Sequence, residues 1–175
     1  MNWGSSTQAQ TYRSALTSVH RLNAVPEHVK NYRPQILFLS GHPKHRPDHV
    51  DIAHLIIKNS GLLICGNVVI EPISVRTQFK LQNDSNQWLM QQNIKAFVDI
   101  MQENDFHKGS RALIQLSGIG KLRPNIIMLG FKTDWNNCES KCLLDYFNTI
   151  QYVINFLSEL FNQKKKKLII FYIDY

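Results

Sequence analysis

The sequence predicts a doubly wound α/β fold, with a mainly parallel five-stranded sheet, helices on both faces, and an amphipathic connector helix in front. Two observations carry that expectation. Short apolar runs alternate with segments of helical periodicity along the chain, and the runs are almost continuously apolar instead of alternating with polar residues. Strands of that kind are buried on both sides, as they are in a parallel sheet covered by helices. A length of 175 residues suits one domain, which at this size buries roughly 70% of its unfolded surface.

The elements follow in order. Ser5 and Gln8 form a Ser-x-x-Gln capping box, and Tyr12, Ala15, Leu16, Val19 and Leu22 then recur at helical spacing opposite Arg13, Thr17 and Arg21. This is the connector helix, assigned to residues 1–25; residues 26–175 form the α/β domain. After Pro26 and Pro34, QILFLSG (35–41) is the first strand, and Pro47 opens a helix that runs to Gly61. LLICGNVVI (62–70) is the second strand, residues 78–93 a helix, and KAFVDIM (95–101) the third strand. A helix over 105–117 leads to NIIMLGF (125–131), the fourth strand. Leu143, Phe147, Ile150, Ile154, Leu157 and Phe161 mark a helix over 139–161, and the lysine run Lys164 to Lys167 leads into LIIFYI (168–173) as the fifth strand.

Charge and cysteine content narrow the function. The net charge of +7 and pI near 9.4 permit a nucleic acid or an anionic membrane surface as partner. The basic residues are scattered apart from Lys164 to Lys167, and no aromatic-basic recognition motif accompanies them, so a nucleic acid is not expected. The longest apolar stretches, 62–70 and 168–173, fall short of the roughly 20 residues that cross a bilayer, and no signal peptide opens the chain. The chain itself is expected to be soluble. Cys65 lies in an apolar run and Cys138 and Cys142 stand one helical turn apart, a pattern of reduced thiols in a cytosolic setting.

Three stretches invite a chemical reading. SGIGKLRPNIIMLGF (117–131) contains a glycine pair and a lysine, but it follows a helix and precedes a strand, the reverse of a phosphate loop. Gly118 is therefore read as a left-handed helix cap, with Ile119 folding back on the last turn. SGHPKHRPDHVD (40–51) gathers His42, His45 and His49 near Asp48 and Asp51, yet the spacing does not make them converge, and no metal site is assigned. In an open α/β sheet, ligands sit beyond the carboxyl ends of the strands where strand order reverses. Ser40, Gly41 and His42 after strand one, and Gly130, Phe131 and Lys132 after strand four, are the residues that would line such a crevice and could take ATP or ADP. These glycines can equally serve only the turns. No G-x-S-x-G elbow or H-E-x-x-H is present; Asp99 and Asp134 could approach each other but are placed by no motif, and no enzyme is expected.

Two long segments carry a family resemblance. They are NWGSSTQAQTYRSAL with RLNAVPEHVKNYRPQ, and KAFVDIMQENDFHKGSRALIQLSGIGKLRPNIIMLGFKTDW. The distinctive pieces include Asn2-Trp3-Gly4-Ser5-Ser6, Arg33-Pro34-Gln35, Arg123-Pro124-Asn125, Leu129-Gly130-Phe131-Lys132 and Asp134-Trp135. They resemble the cytosolic C-terminal region of the cation-chloride cotransporters, of solute carrier 12 type, nearest the sodium-potassium-chloride and sodium-chloride branch.

The resemblance implies an α/β domain similar to universal stress proteins, on the cytoplasmic face of a membrane, the plasma membrane being expected. The domain would form part of a longer symporter in which Met1 is an internal residue or a start created by fragmentation. It implies a role in regulation and homodimerisation, with the membrane part of the same transporter as partner and no required cofactor. The basic face would gain about 1 kcal/mol per Lys or Arg near an anionic inner leaflet. The alternative is a free-standing soluble nucleotide-binding protein of the universal-stress-protein type, using the crevice above.

Overall fold

The computed structural model describes residues 6–26, 28, 32–58, 60–130, 136–161 and 167–171. It divides into two compact units, Met1–Tyr32 with Gly118–Arg123, and Arg33–Ser117 with Pro124–Tyr175.

The smaller unit is built on helix α1 (Ser6–Ala24). Ser5 of the expected capping box lies outside the described residues. Within this unit Asn23 Oδ1 accepts the Lys121 backbone N–H at 2.9 Å, and Lys121 Nζ donates to the Val25 carbonyl. Ile119 and Leu122 exchange backbone hydrogen bonds of 3.0 and 2.9 Å around Gly120, whose φ is +57°. Positive φ at the first central position alone is the mark of a type II′ turn, which favours glycine there. Gly118, at φ +95°, also sits where a side chain is strained. Gly120 is thus spent on the tight turn, and Gly118 is the left-handed residue that follows Ser117. Ile119 does not fold back as expected: it is 70% exposed, because its backbone is committed to the bridge with Leu122.

The larger unit is the predicted sheet. Strands β1 (Gln35–Leu39), β2 (Leu62–Val69), β3 (Phe97–Gln102), β4 (Ile126–Gly130) and β5 (Lys167–Phe171) are all parallel, in the order β3-β2-β1-β4-β5. Helix α2 (Pro47–Ile57) follows β1, α3 (Val75–Gln91) follows β2, α4 (Phe106–Leu116) follows β3, and α5 (Ser140–Phe161) follows β4.

Alternate strand residues feed opposite cores. Ile36, Phe38, Leu63, Cys65, Ile126 and Met128 pack with Val50, Ala53 and Ile57 of α2 and Leu89 of α3. Leu37, Leu39, Ile64, Ile127 and Leu129 pack with Leu113 and Ile114 of α4 and Tyr146 and Val153 of α5. The sheet is therefore wound on both faces, as its continuous apolar runs require.

On the second face α4 approaches β2 closely. A Cβ on Gly109 would fall within 3.0 Å of Val68 Cγ1, while Leu113, one turn on, fills the space above Gly66, where a Cβ would be 3.0 Å from its Cδ1. Large sits against small at both positions. Tyr152 of α5 locks α4 in place: Gln115 donates to its hydroxyl at 2.9 Å and the Arg111 guanidinium lies 5.3 Å from its ring centre.

Several boundaries differ from expectation. α2 stops at Ile57, where Lys58 turns left-handed, instead of reaching Gly61; Gly61 has no room for a Cβ beneath the Pro34 carbonyl that starts the β2 ladder. α3 begins at Val75, ahead of residue 78, because Ser74 Oγ accepts the Thr77 N–H at 3.1 Å and supplies the cap. A 3-10 turn, Pro43–His45, precedes α2. Lys164 to Lys166 of the lysine run lie outside the described residues, and Lys167 opens β5.

Candidate functional site

Strand order reverses between β1 and β4, so the crevice lies beyond Leu39 and Gly130, whose neighbours pair as Leu39 with Leu129. Of the six residues expected there, Phe131 and Lys132 lie outside the described residues. The other four can be placed. Ser40 is buried, and its hydroxyl donates to the Gly41 carbonyl at 2.8 Å. Gly41 takes φ +67° and gives its N–H to the Gly66 carbonyl at 3.2 Å. His42 caps the 3-10 turn, its Nδ1 accepting the Lys44 N–H at 3.2 Å. Gly130 ends β4 with its carbonyl accepting the Tyr146 hydroxyl at 3.3 Å.

Five backbone donors of this loop are committed to the protein itself. Besides those of Gly41 and Lys44, the N–H groups of Ser40, His45 and Arg46 go to the carbonyls of Phe38, His42 and Pro43. A phosphate loop works by aiming such groups at the anion. Here those five are already bonded.

Side chains take their place. Pro47 starts α2, so Arg46 and His49 fall in or beside its first turn and face back toward Gly130. A Cβ on Gly130 would be 2.9 Å from Arg46 Nη1 and 3.9 Å from His49 Nε2, and glycine is what lets the guanidinium approach. His49 is only 6% exposed, stacks on Phe38 with ring centres 6.1 Å apart, and has no hydrogen-bond partner at its buried Nδ1. Burial, reinforced by the Arg46 guanidinium, lowers its pKa below the ordinary histidine value, with Asp48 pulling the other way. The His42 pKa is lowered too, by burial and then by His45 and Lys44, against an opposing pull from Asp84.

Sequence reading missed Arg46 altogether and placed His49 only in a histidine cluster. The available signal was their position around Pro47, but their target, Gly130, becomes visible only with the strand order.

Among the described residues no acid-base or nucleophilic constellation accompanies them. Cys65 lies under Ser40, and burial pushes its thiol up to about 12, so it stays protonated and unreactive. Asp99 accepts the Ser117 hydroxyl at 3.1 Å, and Asp134 lies outside the described residues. Among the described residues no three His, Cys, Asp or Glu side chains gather as metal ligands. His42 and His45 stand 5.2 Å apart between ring centres, while His49 is turned to Phe38. A separate cavity of about 220 Å³ opens at the far end of the sheet, lined by Ile57, Leu62, Leu63, Lys95, Ala96 and Phe97.

Fold and site together define a doubly wound parallel α/β domain whose switch-point loop bonds five of its own backbone donors. Comparison with known proteins carries the assignment further. Residues 46–160 match Solute carrier family 12, and the chain belongs to that family. It is 43% identical over 150 residues to the bumetanide-sensitive sodium-(potassium)-chloride cotransporter of Manduca sexta, a match covering 86% of this chain and 14% of that protein. It is 40% identical over 160 residues to solute carrier family 12 member 2 of Danio rerio, covering 89% of this chain and 14% of the relative. The corresponding figures for human member 3 are 39% over 159 residues, 89% and 16%. The chain thus spans about one-seventh of the length of these relatives. Among solved structures, a universal stress protein family member from Burkholderia pseudomallei aligns with a TM-score of 0.42 at 10% identity, covering 78% of this chain and 95% of that one.

Proposed function

We propose that this chain is the C-terminal cytosolic regulatory and dimerising domain of an electroneutral sodium-(potassium)-chloride symporter. The observation that carries the reading is that 86% of the chain matches only 14% of a sodium-(potassium)-chloride cotransporter. Among the described residues no helix is long and apolar enough to cross a membrane, which suits a segment outside the transport path. Transport would belong to membrane helices elsewhere in the parent protein.

Helix α1 supports a connector role. Tyr12, Leu16 and Leu22 leave apolar surface exposed along it, as a helix does when it has a further partner to meet. The net charge of +7 favours an anionic inner leaflet nearby.

Reading the transcript upstream of the Met1 codon tests this proposal. An open frame containing about a dozen apolar segments of roughly 20 residues each is expected. A stop codon and untranslated leader directly before Met1 would overturn it.

Arg46 and His49 facing Gly130 favour one second reading, a soluble protein that binds ATP or ADP through its phosphates. Calorimetry with ATP on the purified chain separates the two in part: millimolar or absent binding rules out the nucleotide-binding protein and leaves the transporter domain untouched.

A further inference from the structure

β3 is an edge strand of the sheet, and its outer row of backbone groups would normally be open. Glu103, just past its end, donates its N–H to Val69 of β2 at 3.1 Å. Backbone groups of alternate residues point the same way, so those of residues 97, 99 and 101 also face β2. Those of Val98, Ile100 and Gln102 therefore face outward.

Two of these outward carbonyls are occupied. Gln78 Nε2 donates to the Ile100 carbonyl at 3.3 Å, and Gln82 Nε2 donates to the Val98 carbonyl at 3.2 Å. The match is geometric: four residues of helix rise ~6.0 Å and two residues of strand rise ~6.6 Å, so glutamines one turn apart on α3 meet successive outward carbonyls of β3. The strand returns the contact through Gln102, whose Oε1 accepts the Ile73 N–H at 3.3 Å and ties down the loop leading into α3.

The strand under this cover is otherwise competent to pair. It reads FVDIMQ, and Phe97 at its start is 66% exposed. A second copy of β3 laid antiparallel across the edge would form an isologous pair about a two-fold axis, with each strand filling the other's outward groups.

We propose that Gln78 and Gln82 are an edge guard, which holds the β3 carbonyls and so excludes β3-to-β3 pairing between two copies of this chain. The proposal is independent of the transporter reading, and any association through another surface is common to all variants in the test.

The test compares the 175-residue chain with Q78A/Q82A and Q78E/Q82E by sedimentation velocity over a concentration series, with circular dichroism as the check on folding. Q78A/Q82A is expected to self-associate at least tenfold more tightly than wild type, and the Val98 and Ile100 amides are expected to gain hydrogen-exchange protection as it does. Q78E/Q82E loses the same two donors but sets carboxylates along the edge, and it is expected to remain in the wild-type state because like charges repel a second copy. A folded Q78A/Q82A with unchanged association overturns the proposal. So does equal association of both variants, which would trace it to a loosened helix instead of an open edge. Should Q78A/Q82A fail to fold, Q82A alone is read in the same way, and unchanged association in it is equally decisive against the guard.

Discussion

Replacing Gly109 by alanine tests the closest contact between a helix and the sheet. Alanine normally stabilises a helix interior by about 0.8–1.0 kcal/mol relative to glycine. At Gly109 the added Cβ would lie within 3.0 Å of Val68 Cγ1, 3.1 Å from Cγ2 and 3.3 Å from Cβ, all inside ordinary contact distance. Valine cannot swing clear, because both its methyl groups sit on Cβ and its rotamer is fixed by the strand. Helix α4 must therefore retreat from β2, and overpacking of this kind costs about 1–3 kcal/mol. The helix preference offsets part of that, so Gly109→Ala is expected to lose up to about 2 kcal/mol. Urea unfolding followed by far-UV circular dichroism measures it. In a cycle with Val68→Ala, which removes both methyl groups, the two substitutions should couple by at least about 1 kcal/mol, beyond the ~0.3–0.5 kcal/mol scatter of independent sites. Stabilisation by Gly109→Ala, or additivity in the cycle, would refute the close approach.

Three further outcomes are expected. Gly130→Ala crowds only the far end of the exposed, long Arg46 side chain and meets His49 Nε2 at an ordinary 3.9 Å, so its unfolding free energy should move by less than about 1 kcal/mol; a urea-unfolding loss above ~2 kcal/mol would mean that the guanidinium is held rigidly. Asp105 accepts the Lys108 N–H at 2.7 Å as the cap of α4, and Asp105→Ala should cost about 1 kcal/mol by the same assay, while Asp105→Asn, which keeps an acceptor, should cost less. The lowered pKa of His49 means that the unfolded chain binds its proton at higher pH than the folded one. Its contribution to stability is then complete above the ordinary value of ~6.5 and declines as pH falls below it, at up to ~1.4 kcal/mol per pH unit until the folded value is reached. Thermal unfolding at pH 7.5 and 5.5 should show a smaller loss in His49→Gln than in wild type; a loss in the variant equal to or larger than that of wild type would contradict the sign.

The strands were legible because burial on both faces leaves continuous apolar runs, and QILFL and IIMLG need no partner to be recognised. That the stretch around Gly118 and Gly120 is no phosphate loop was legible through its order, helix before strand; the Ile119–Leu122 turn was not, because Gly118 read as a helix cap with Ile119 folded back. The residues that define the switch point were less so. Gly130 is a strand end in sequence, and only the placing of β4 beside β1 brings Arg46 and His49 to it. Gln78 and Gln82 read as the polar face of a helix; that β3 is an edge strand, and that its even-numbered carbonyls face outward, is a property of the whole sheet. Gly109 reads as a weakness in α4 until Val68 is seen beneath it.

The state of the loop after β1 also weighs between the two functional readings. A phosphate held by a loop of free N–H groups and a helix N-terminus gains many short bonds without recruiting a flexible side chain. Here the N–H groups of Ser40, Gly41, Lys44, His45 and Arg46 are already bonded within the protein, leaving Arg46 and His49 as the side chains that face Gly130. Charge-assisted bonds contribute about 1.5–3 kcal/mol each, so two of them supply roughly 3–6 kcal/mol. Association alone costs at least about 4 kcal/mol in lost freedom, and millimolar affinity already requires a net ~4 kcal/mol. Offset against that cost, two such bonds leave at most about 2 kcal/mol, so Arg46 and His49 by themselves fall short of millimolar phosphate binding. Nucleotide binding at this crevice would therefore need donors beyond these two side chains, and calorimetry with ATP measures whether they are supplied.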